Sequence, residues 1–255
     1  MTPTEIRAPA ISWRIENLGE VSSTSDIALE RARLGEPEGL VIRAESQTKG
    51  RGRLGRSWLS PPGYGLYFST LLRPPLPGDQ LAVLSLVCAL AIAEGLEETG
   101  GIPARLKWPN DIRLGEKKVG GILLDFESSG AAKPAVIVGF GLNLKSPPDG
   151  YPDEFASRTT SMEAAGCRLP QSEEILHTLL NRLRLRYQDF IESGFKPLRE
   201  RWESHSDGIG RRFSFSIADA PLEGIMRGID EAGRLILDTG DGNLHSVDTG
   251  EIIES

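Results

Sequence analysis

The chain has few of the residues that several common protein classes require. Only two of its 255 residues are cysteines, Cys88 and Cys167, and only three are histidines. One cysteine lies in an apolar run and the other in a polar stretch, a pattern that indicates neither a disulfide framework nor a zinc site. The histidines are scattered, and the motifs G-x-S-x-G and H-E-x-x-H are absent, which argues against a serine or metal hydrolase.

Long hydrophobic segments are also absent. The longest apolar run, Leu81 to Ala93, is too short to cross a bilayer, and the N-terminus lacks a basic segment followed by an apolar one. We therefore expect a cytoplasmic protein with no membrane partner. The formal net charge is -7, from 29 lysines and arginines against 36 aspartates and glutamates, so we expect no nucleic-acid partner.

Against this acidic background, one loop concentrates glycine and arginine. Residues Gly50 to Trp58 read G-R-G-R-L-G-R-S-W. Glycine lets backbone N–H groups approach a ligand closely, and arginine offers a planar set of donors that stays charged at physiological pH. The loop therefore predicts a binding site for a phosphate or a carboxylate.

Two phosphate-binding motifs match this loop by letter. Its glycines fit the dinucleotide pattern G-x-G-x-x-G, and the loop fits the P-loop pattern except that Arg56 replaces the lysine. Both motifs require a helix that starts at the last glycine, Gly55, whereas Pro61 and Pro62 would break such a helix almost at once. A solvated turn without a ligand is the third interpretation of the loop taken alone.

Other segments give the loop a context. They read K-W-P-N-D at Lys107 to Asp111, K-V-G-G-I-L-L-D at Lys118 to Asp125, and G-F-G-L-N at Gly139 to Asn143. With Ser23-Thr24, Gln47 and the segment Ser60 to Ser69, these motifs resemble the biotin protein ligase family, also named biotin--[acetyl-CoA-carboxylase] ligases. The resemblance runs from about Val21 to the C-terminus. About twenty residues precede Ser23, so the chain resembles the monofunctional type that lacks an N-terminal DNA-binding domain.

The resemblance implies an α+β fold with two parts. Residues 1–207 would form the biotin ligase catalytic domain, a mixed sheet with helices of the class II synthetase type, and residues 208–255 a small C-terminal SH3-like β-barrel. The sequence pattern agrees, because after Trp202 short strand candidates alternate with Gly and Asp turns. Earlier in the chain, the pattern predicts helices that are capped by Asp79 and by Ser172.

The resemblance also implies a reaction. Family members let the carboxylate of biotin attack the α-phosphate of ATP, which gives biotinyl-5′-AMP and pyrophosphate, and then pass biotin to a lysine of a biotin carboxyl carrier protein. Both steps gather negative charge, so a positioned ammonium and Mg²⁺ are expected at the centre. The residues matched to catalysis are Lys118 and Arg53, and Asp111 is the candidate Mg²⁺ ligand.

The matched binding residues fall into two groups. Those expected to contact biotin are Ser23, Thr24, Ser25, Gln47, Gly50, Arg51, Gly52, Arg53, Lys118, Gly120 and Gly121. Those expected to contact ATP or the adenylate are Arg53, Arg56, Trp58, Lys107, Asn110, Lys118 and Asn143. Trp58 and Trp108 are candidates either for packing on adenine and walling the site or for ordinary core packing.

Three positions depart from the family pattern. Ser25 and Gly65 stand where asparagines are usual, and Leu54 replaces the third arginine of G-R-G-R-R-G-R. We expect these changes to alter affinity or loop stability rather than the reaction. The alternatives are a lipoate or octanoate ligase of the same fold and a non-catalytic biotin-binding protein, and a homodimer is possible.

Arg53 gives the first testable prediction. A charge-assisted hydrogen bond from an arginine is worth about 1.5–3 kcal/mol. Arg53→Ala should therefore reduce retention of the adenylate by about one to two powers of ten, measured as its off-rate. Equal off-rates in the wild type and the variant would contradict the assignment.

Overall fold

The computed structural model describes residues 11–128, 134–217, 220–248 and 252–253. Within these ranges the strands are β1 (Arg14–Val21), β2 (Leu40–Gln47), β3 (Gly65–Leu72), β4 (Ala104–Lys107), β5 (Asp111–Leu114), β6 (Lys117–Glu127), β7 (Ala135–Asn143), β8 (Arg212–Ile217), β9 (Ala220–Ile229), β10 (Leu235–Asp238), β11 (Leu244–Val247) and β12 (Ile252–Ile253). The α-helices are α1 (Thr24–Arg33), α2 (Leu84–Gly100), α3 (Asp153–Ala156), α4 (Ser172–Ser193) and α5 (Lys196–His205). None of the described helices is long and apolar enough to cross a membrane.

The larger sheet has seven strands in the order β1-β2-β3-β7-β6-β5-β4. Strands β1 and β2 pair in parallel, and every other neighbouring pair is antiparallel. The expected mixed sheet with helices is therefore confirmed. Antiparallel neighbours in this sheet are joined by short turns at β4–β5 and β5–β6, which brings the K-W-P-N-D and K-V-G-G-I-L segments side by side.

The two faces of this sheet are covered differently. Helices α2 and α4 pack on one face in the main hydrophobic core. Helix α1 packs on the other face, where Ala28 and Ala32 meet Ile42 and Ile137 in a smaller cluster. Because α1 covers only part of its face, the remainder of that face is left for the glycine-arginine loop.

Two predicted helix starts are wrong. Asp79 does not cap α2, because Gly78–Gln80 form a 3-10 turn, bonds of the i to i+3 type continue to Leu84, and the helix begins there. Ser172 is the first residue of α4 rather than its cap. Its hydroxyl instead accepts a hydrogen bond from Nη2 of Arg43 at 2.7 Å, so tertiary contact overrides the capping preference.

The C-terminal part forms a separate sheet of five strands in the order β11-β10-β9-β8-β12. All its pairs are antiparallel. This confirms the expected small β unit, and the segment between His205 and Arg212 joins it to α5.

An ion-pair network ties α2 to the two C-terminal helices of the larger part. Glu94 of α2 is 8% exposed and pairs with Nε of Arg186 at 2.8 Å and with Nη2 of Arg201 at 2.6 Å. One turn away, the exposed Glu98 pairs with Nε of Arg182 at 2.7 Å. The two carboxylates thus form the same kind of ion pair with arginine, one buried and one exposed.

This pair of sites makes a stability prediction. Breaking a buried ion pair costs about 3–5 kcal/mol, whereas an exposed pair contributes about 0–1 kcal/mol. Glu94→Ala should lower the free energy of unfolding by about the larger amount, and the control Glu98→Ala by the smaller, both measured by denaturant titration. Similar losses in the two variants would contradict this account of the network.

Candidate functional site

The site begins with a row of residues that runs across the larger sheet. Lys107 pairs with Asp111, Asp111 with Gly121, and Gly121 with Gly141. Directly paired residues project from the same face of a sheet. The row therefore places an ammonium, a carboxylate and two glycines side by side. Gly121 and Gly141 leave a flat surface beside the charged pair, which we call the glycine floor.

Trp58 lies on this floor. A Cβ added to Gly141 would stand 2.4 Å from Cε2 of the indole, and one added to Gly121 would stand 3.5 Å from Cζ3. Only glycine at position 141 lets the ring come this close. The indole Nε1 is buried and has no hydrogen-bond partner among the described residues. Trp58 therefore lies on the glycine floor next to the other predicted site residues.

Lys118 stands at the edge of the floor. Its Nζ lies 2.6 Å from Oδ1 of Asp111 and 5.3 Å from the centroid of the Trp58 ring. A carboxylate and an aromatic face both attract an ammonium, so the two contacts hold the Lys118 side chain in this position. The predicted catalytic lysine and the predicted Mg²⁺ ligand are thus direct partners.

The backbone of Lys118 is fixed from beyond the end of β7. Its N–H donates to the carbonyl of Arg158 at 2.8 Å, and its own carbonyl accepts from the N–H of Thr160 at 2.8 Å. Asn143, the last residue of β7, donates from Nδ2 to the carbonyl of Thr160 at 3.0 Å. Asn143 is buried, so this predicted ATP contact also supports the segment that holds Lys118.

A chain of neutral polar groups lies on the α1 side of the floor. Oε1 of Gln47 accepts from the N–H of Thr24 at 2.8 Å and from its hydroxyl at 3.1 Å, while Nε2 donates to Ser60 at 3.0 Å. Ser69 contacts the hydroxyls of Thr24 at 2.8 Å and Ser25 at 3.0 Å. These are the mixed donors and acceptors that a neutral ureido ring needs, and four of the five side chains are buried.

The start of α1 shows what Ser23 and Ser25 contact. Ser23 occupies the N-cap position but makes no side-chain capping bond. The side chain of Gln47 instead accepts from the first helical N–H, at Thr24. Ser25 sits opposite Gly139, where an added Cβ would stand 2.5 Å from the serine hydroxyl. The serine that replaces the usual asparagine therefore already fills the space above β7.

The glycine-arginine loop folds into a small hairpin. The N–H of Gly52 donates to the carbonyl of Arg56 at 2.7 Å, and that of Trp58 donates to the carbonyl of Gly50 at 2.9 Å. A 3-10 turn spans Arg53–Gly55, and no helix follows it, which excludes the P-loop and dinucleotide interpretations. Leu54 at the tip is 72% exposed and has a φ of 56°, a left-handed conformation uncommon for a leucine.

Two of the three predicted ligand-binding arginines, Arg51 and Arg53, leave the hairpin in different directions. Nη2 of Arg51 lies 2.7 Å from Oδ2 of Asp125 and 3.0 Å from Oδ1 of Asp26, which joins the loop to β6 and α1. Nη1 of Arg53 donates to Oδ1 of Asn110 at 3.3 Å, which joins the loop to the β4–β5 turn. The loop is thus held on both sides of the glycine floor.

The remaining predicted residues are placed less centrally. Gly120 faces the core, because its added Cβ would meet Leu142 at 3.3 Å and Ile112 at 3.7 Å, so only its backbone can face the site. Arg56 is exposed beside the hairpin. Trp108 is 3% exposed and packs beneath the C-terminal sheet rather than on the floor, which favours the core interpretation for that residue.

Several residues of the site carried no prediction from the sequence. Asp26 and Asp125 hold Arg51, and Ser69 links Thr24 to Ser25. Asp125 and Ser69 were the last residues of two matched motifs, which was a signal that they face the site. Thr160 had no such signal, because its contact with Lys118 joins segments about forty residues apart.

One further polar group next to the site is the buried phenol of Tyr67. Tyr67 is 1% exposed, and burial, followed by the nearby Tyr151 hydroxyl, raises the pKa of its phenol well above its usual range. The phenol therefore stays protonated and donates to the carbonyl of Pro61 at 3.1 Å. This bond holds the segment that follows the loop against the sheet.

Comparisons with known proteins show which families and relatives this chain is similar to. The model of the biotin/lipoate A/B protein ligase family matches residues 18–143, and that of the biotin protein ligase C terminal domain matches residues 208–253. The chain is 38% identical over 223 residues to the bifunctional ligase/repressor BirA of Bacillus subtilis (strain 168), covering 87% of this chain and 68% of that relative. It is 37% identical over 200 residues to the biotin--[acetyl-CoA-carboxylase] ligase of Paracoccus denitrificans, covering 77% and 82%.

A solved structure gives the same result. The biotin protein ligase from Aquifex aeolicus in complex with biotin and ATP matches with a TM-score of 0.81 at 34% identity, covering 94% of this chain and 97% of that chain. The fold is therefore similar to that of a biotin protein ligase.

The contact between Gly141 and Trp58 makes a prediction about the floor. Gly141→Ala should lower the free energy of unfolding by about 1–3 kcal/mol, because overpacking forces the ring to move. In a Trp58→Ala background the same change should have little effect, since the clash is gone. Gly19→Ala is the matched control, because its Cβ meets nothing within 4 Å. An equal loss in both backgrounds would show that the ring does not lie on the floor.

Proposed function

This chain belongs to the biotin/lipoate A/B protein ligase family, and we propose that it is a biotin protein ligase that activates biotin with ATP and transfers it to a carrier protein. The observation that carries the proposal is the position of Lys118. Its ammonium lies on a glycine floor between a neutral polar cluster and an arginine-bearing loop. A carboxylic acid with a polar ring, such as biotin, fits the side of the neutral polar cluster. A nucleoside triphosphate fits the side of the arginine-bearing loop.

The residues have separate tasks in the first step. The polar chain around Gln47 holds the ureido ring of biotin, and Lys118 holds the carboxylate against the α-phosphate. As the carboxylate oxygen bonds to phosphorus and pyrophosphate leaves, Lys118 and Arg53 offset the charge that develops there. Both reactants and products carry negative charge, so these two cations act throughout rather than at one instant.

In the second step the amine of a carrier lysine attacks the acyl carbonyl of biotinyl-5′-AMP. An amide forms, AMP leaves with the bonding electrons, and the amine loses a proton. Trp58 and the loop cover the mixed anhydride and limit its hydrolysis by water. The loop can do this because it bridges the floor from Arg51 on one side to Arg53 on the other.

The residues at the floor fit a Mg²⁺ ion bound together with the triphosphate. Mg²⁺ takes oxygen ligands and commonly uses one or two carboxylates plus substrate phosphates. Asp111 and Asn110 supply oxygens here, whereas the described residues hold no cluster of three or more His, Cys, Asp or Glu that would bind a metal alone. When bound, the ion would neutralise phosphate charge, and Lys118 would then be released from Asp111 for the substrate carboxylate.

The remaining parts of the proposal concern the surroundings of the enzyme. The acceptor is a biotin carboxyl carrier protein of a biotin-dependent carboxylase, and the compartment is the cytoplasm. Neither a nucleic acid nor a membrane takes part. Residues 1–207 form the catalytic domain and residues 208–255 the C-terminal domain, and the exposed edge of β1 offers a surface for a homodimer.

The adenylation step is tested by exchange of pyrophosphate into ATP with Mg²⁺ and either biotin, lipoate or octanoate. Biotin should support exchange, and Lys118→Ala should reduce it by at least about a hundredfold, the effect of removing one preorganised charge-stabilising group. Lys117→Ala is the matched control, because that lysine is adjacent and exposed. Exchange with lipoate or octanoate instead would change the substrate, and tight biotin binding without exchange would indicate a non-catalytic binding protein.

The transfer step is tested separately by mass spectrometry of an apo carrier domain. Incubation with the enzyme, biotin and ATP should add one biotinyl group to a single lysine. The same carrier with that lysine changed to arginine should stay unmodified. Adenylate formation without any carrier modification would leave the chain as an adenylating enzyme and refute the transfer role.

A further inference from the structure

The turn between β4 and β5 has two sides. Asn110 and Asp111 face the site, whereas Trp108 points away from it and is 3% exposed. The indole Nε1 of Trp108 donates to the carbonyl of Gly233 at 3.0 Å, and its ring meets Phe215 edge to face, with 6.3 Å between centroids. Gly233 lies between β9 and β10 and Phe215 in β8, so both partners belong to the C-terminal sheet.

The turn that contains Gly233 is itself held in place. Oδ1 of Asp230 accepts from the N–H of Arg234 at 2.9 Å, which closes the turn. Gly233 has a φ of 79°, and a Cβ added there would stand 3.0 Å from Leu86 and 3.1 Å from Val83 at the start of α2. The glycine whose carbonyl accepts from Trp108 therefore packs closely against the start of α2.

A second link joins the β4–β5 hairpin to the segment that leads into the C-terminal sheet. Nη1 of Arg113 in β5 donates to Oδ2 of Asp207 at 3.0 Å, and these side chains are only 9% and 17% exposed. The N–H of Asp207 donates to the carbonyl of Leu106 in β4 at 3.2 Å. Both strands of the hairpin and its turn are thus held from the C-terminal side.

On the side that faces the site, the β4–β5 hairpin contacts the two predicted catalytic residues, Arg53 and Lys118. Asn110 accepts from Arg53 at 3.3 Å, and Asp111 pairs with Lys118 at 2.6 Å. Among the described residues, the polar chain around Gln47 contacts α1, β3 and Ser60 rather than the β4–β5 hairpin.

We propose that the C-terminal sheet sets the position of the nucleotide-binding groups Asn110 and Asp111 through Trp108. Trp108 is then a positioning residue for ATP rather than for biotin, and the inference rests on the proposed function. Loss of its hydrogen bond weakens the ATP side of the site and leaves the polar chain around Gln47, which holds the ureido ring, as it was.

The test compares two buried tryptophans in the full chain. Trp108→Phe keeps an aromatic ring and removes the N–H that binds Gly233. Trp202→Phe is the control, because Trp202 is 1% exposed and its Nε1 has no partner among the described residues. Calorimetry would give the affinity for biotin and, at saturating biotin with Mg²⁺, for an ATP analogue with a methylene group between the α- and β-phosphorus atoms.

Trp108→Phe should weaken analogue binding about three- to tenfold, the equivalent of one net hydrogen bond, and change biotin binding by less than about twofold. Trp202→Phe should leave both affinities unchanged. Parallel weakening of both ligands by Trp108→Phe would indicate a general structural role and overturn the inference, as would unchanged analogue binding.

A glycine pair provides a second test that does not alter a tryptophan. Gly233→Ala and Gly240→Ala place a side chain at φ values of 79° and 83°, so their backbone strain is alike. Only the alanine at position 233 meets α2, because nothing lies within 4 Å of the added Cβ at position 240. Gly233→Ala should weaken the analogue selectively relative to Gly240→Ala, and equal effects would count against the inference.

These readouts are independent of turnover. If the wild type bound biotin and the analogue but exchanged no pyrophosphate, the proposed adenylation would fail. The analogue affinities of the four variants would still decide whether Trp108 positions the nucleotide side. A wild type that bound no analogue would overturn the inference directly.

Discussion

The register of the seven-stranded sheet is the constraint on which the site depends. Because Asp111, Gly121 and Gly141 are paired across three neighbouring strands, a shift of one residue in any strand would turn its member to the opposite face. The floor would then lose a glycine or gain a side chain, and the carboxylate would leave Lys118. The hydrophobic face beneath α2 and α4 fixes that register, so core packing and chemistry are specified by the same alternation of residues.

Much of this arrangement could be predicted from the sequence, and the limits have physical causes. The motifs placed Lys118, Asp111 and the glycine-arginine loop together because each segment is local, and short strand candidates between Gly and Asp turns predicted the C-terminal β unit. The strand β1 and the two-residue β12 were missed, since one is an edge strand with a weak pattern and the other is too short to have one. Contacts such as Thr160 with Lys118 depend on which segments meet, and no local pattern records that.

The roles of individual side chains were harder to predict than their locations. Asn143 is predicted to contact ATP, and the fold adds a second role, because its amide donates to the carbonyl of Thr160, which fixes the backbone of Lys118. Trp108 was considered for the adenine, yet it anchors the C-terminal sheet. For Trp108 the residue type indicated a contact, but only the fold showed that this contact is made with the surrounding protein.

The glycine floor has a consequence for how the substrate range of this fold can change. An alanine at position 141 would collide with an aromatic ring 2.4 Å away, and one at position 139 would collide with a serine hydroxyl at 2.5 Å. At position 121 the nearest atoms are the flexible end of Lys118, at 3.3–3.4 Å, which can move aside. Gly121 is therefore the floor position where an added methyl group is accommodated only if Lys118 moves, so a change of substrate range made there would act through the proposed catalytic ammonium.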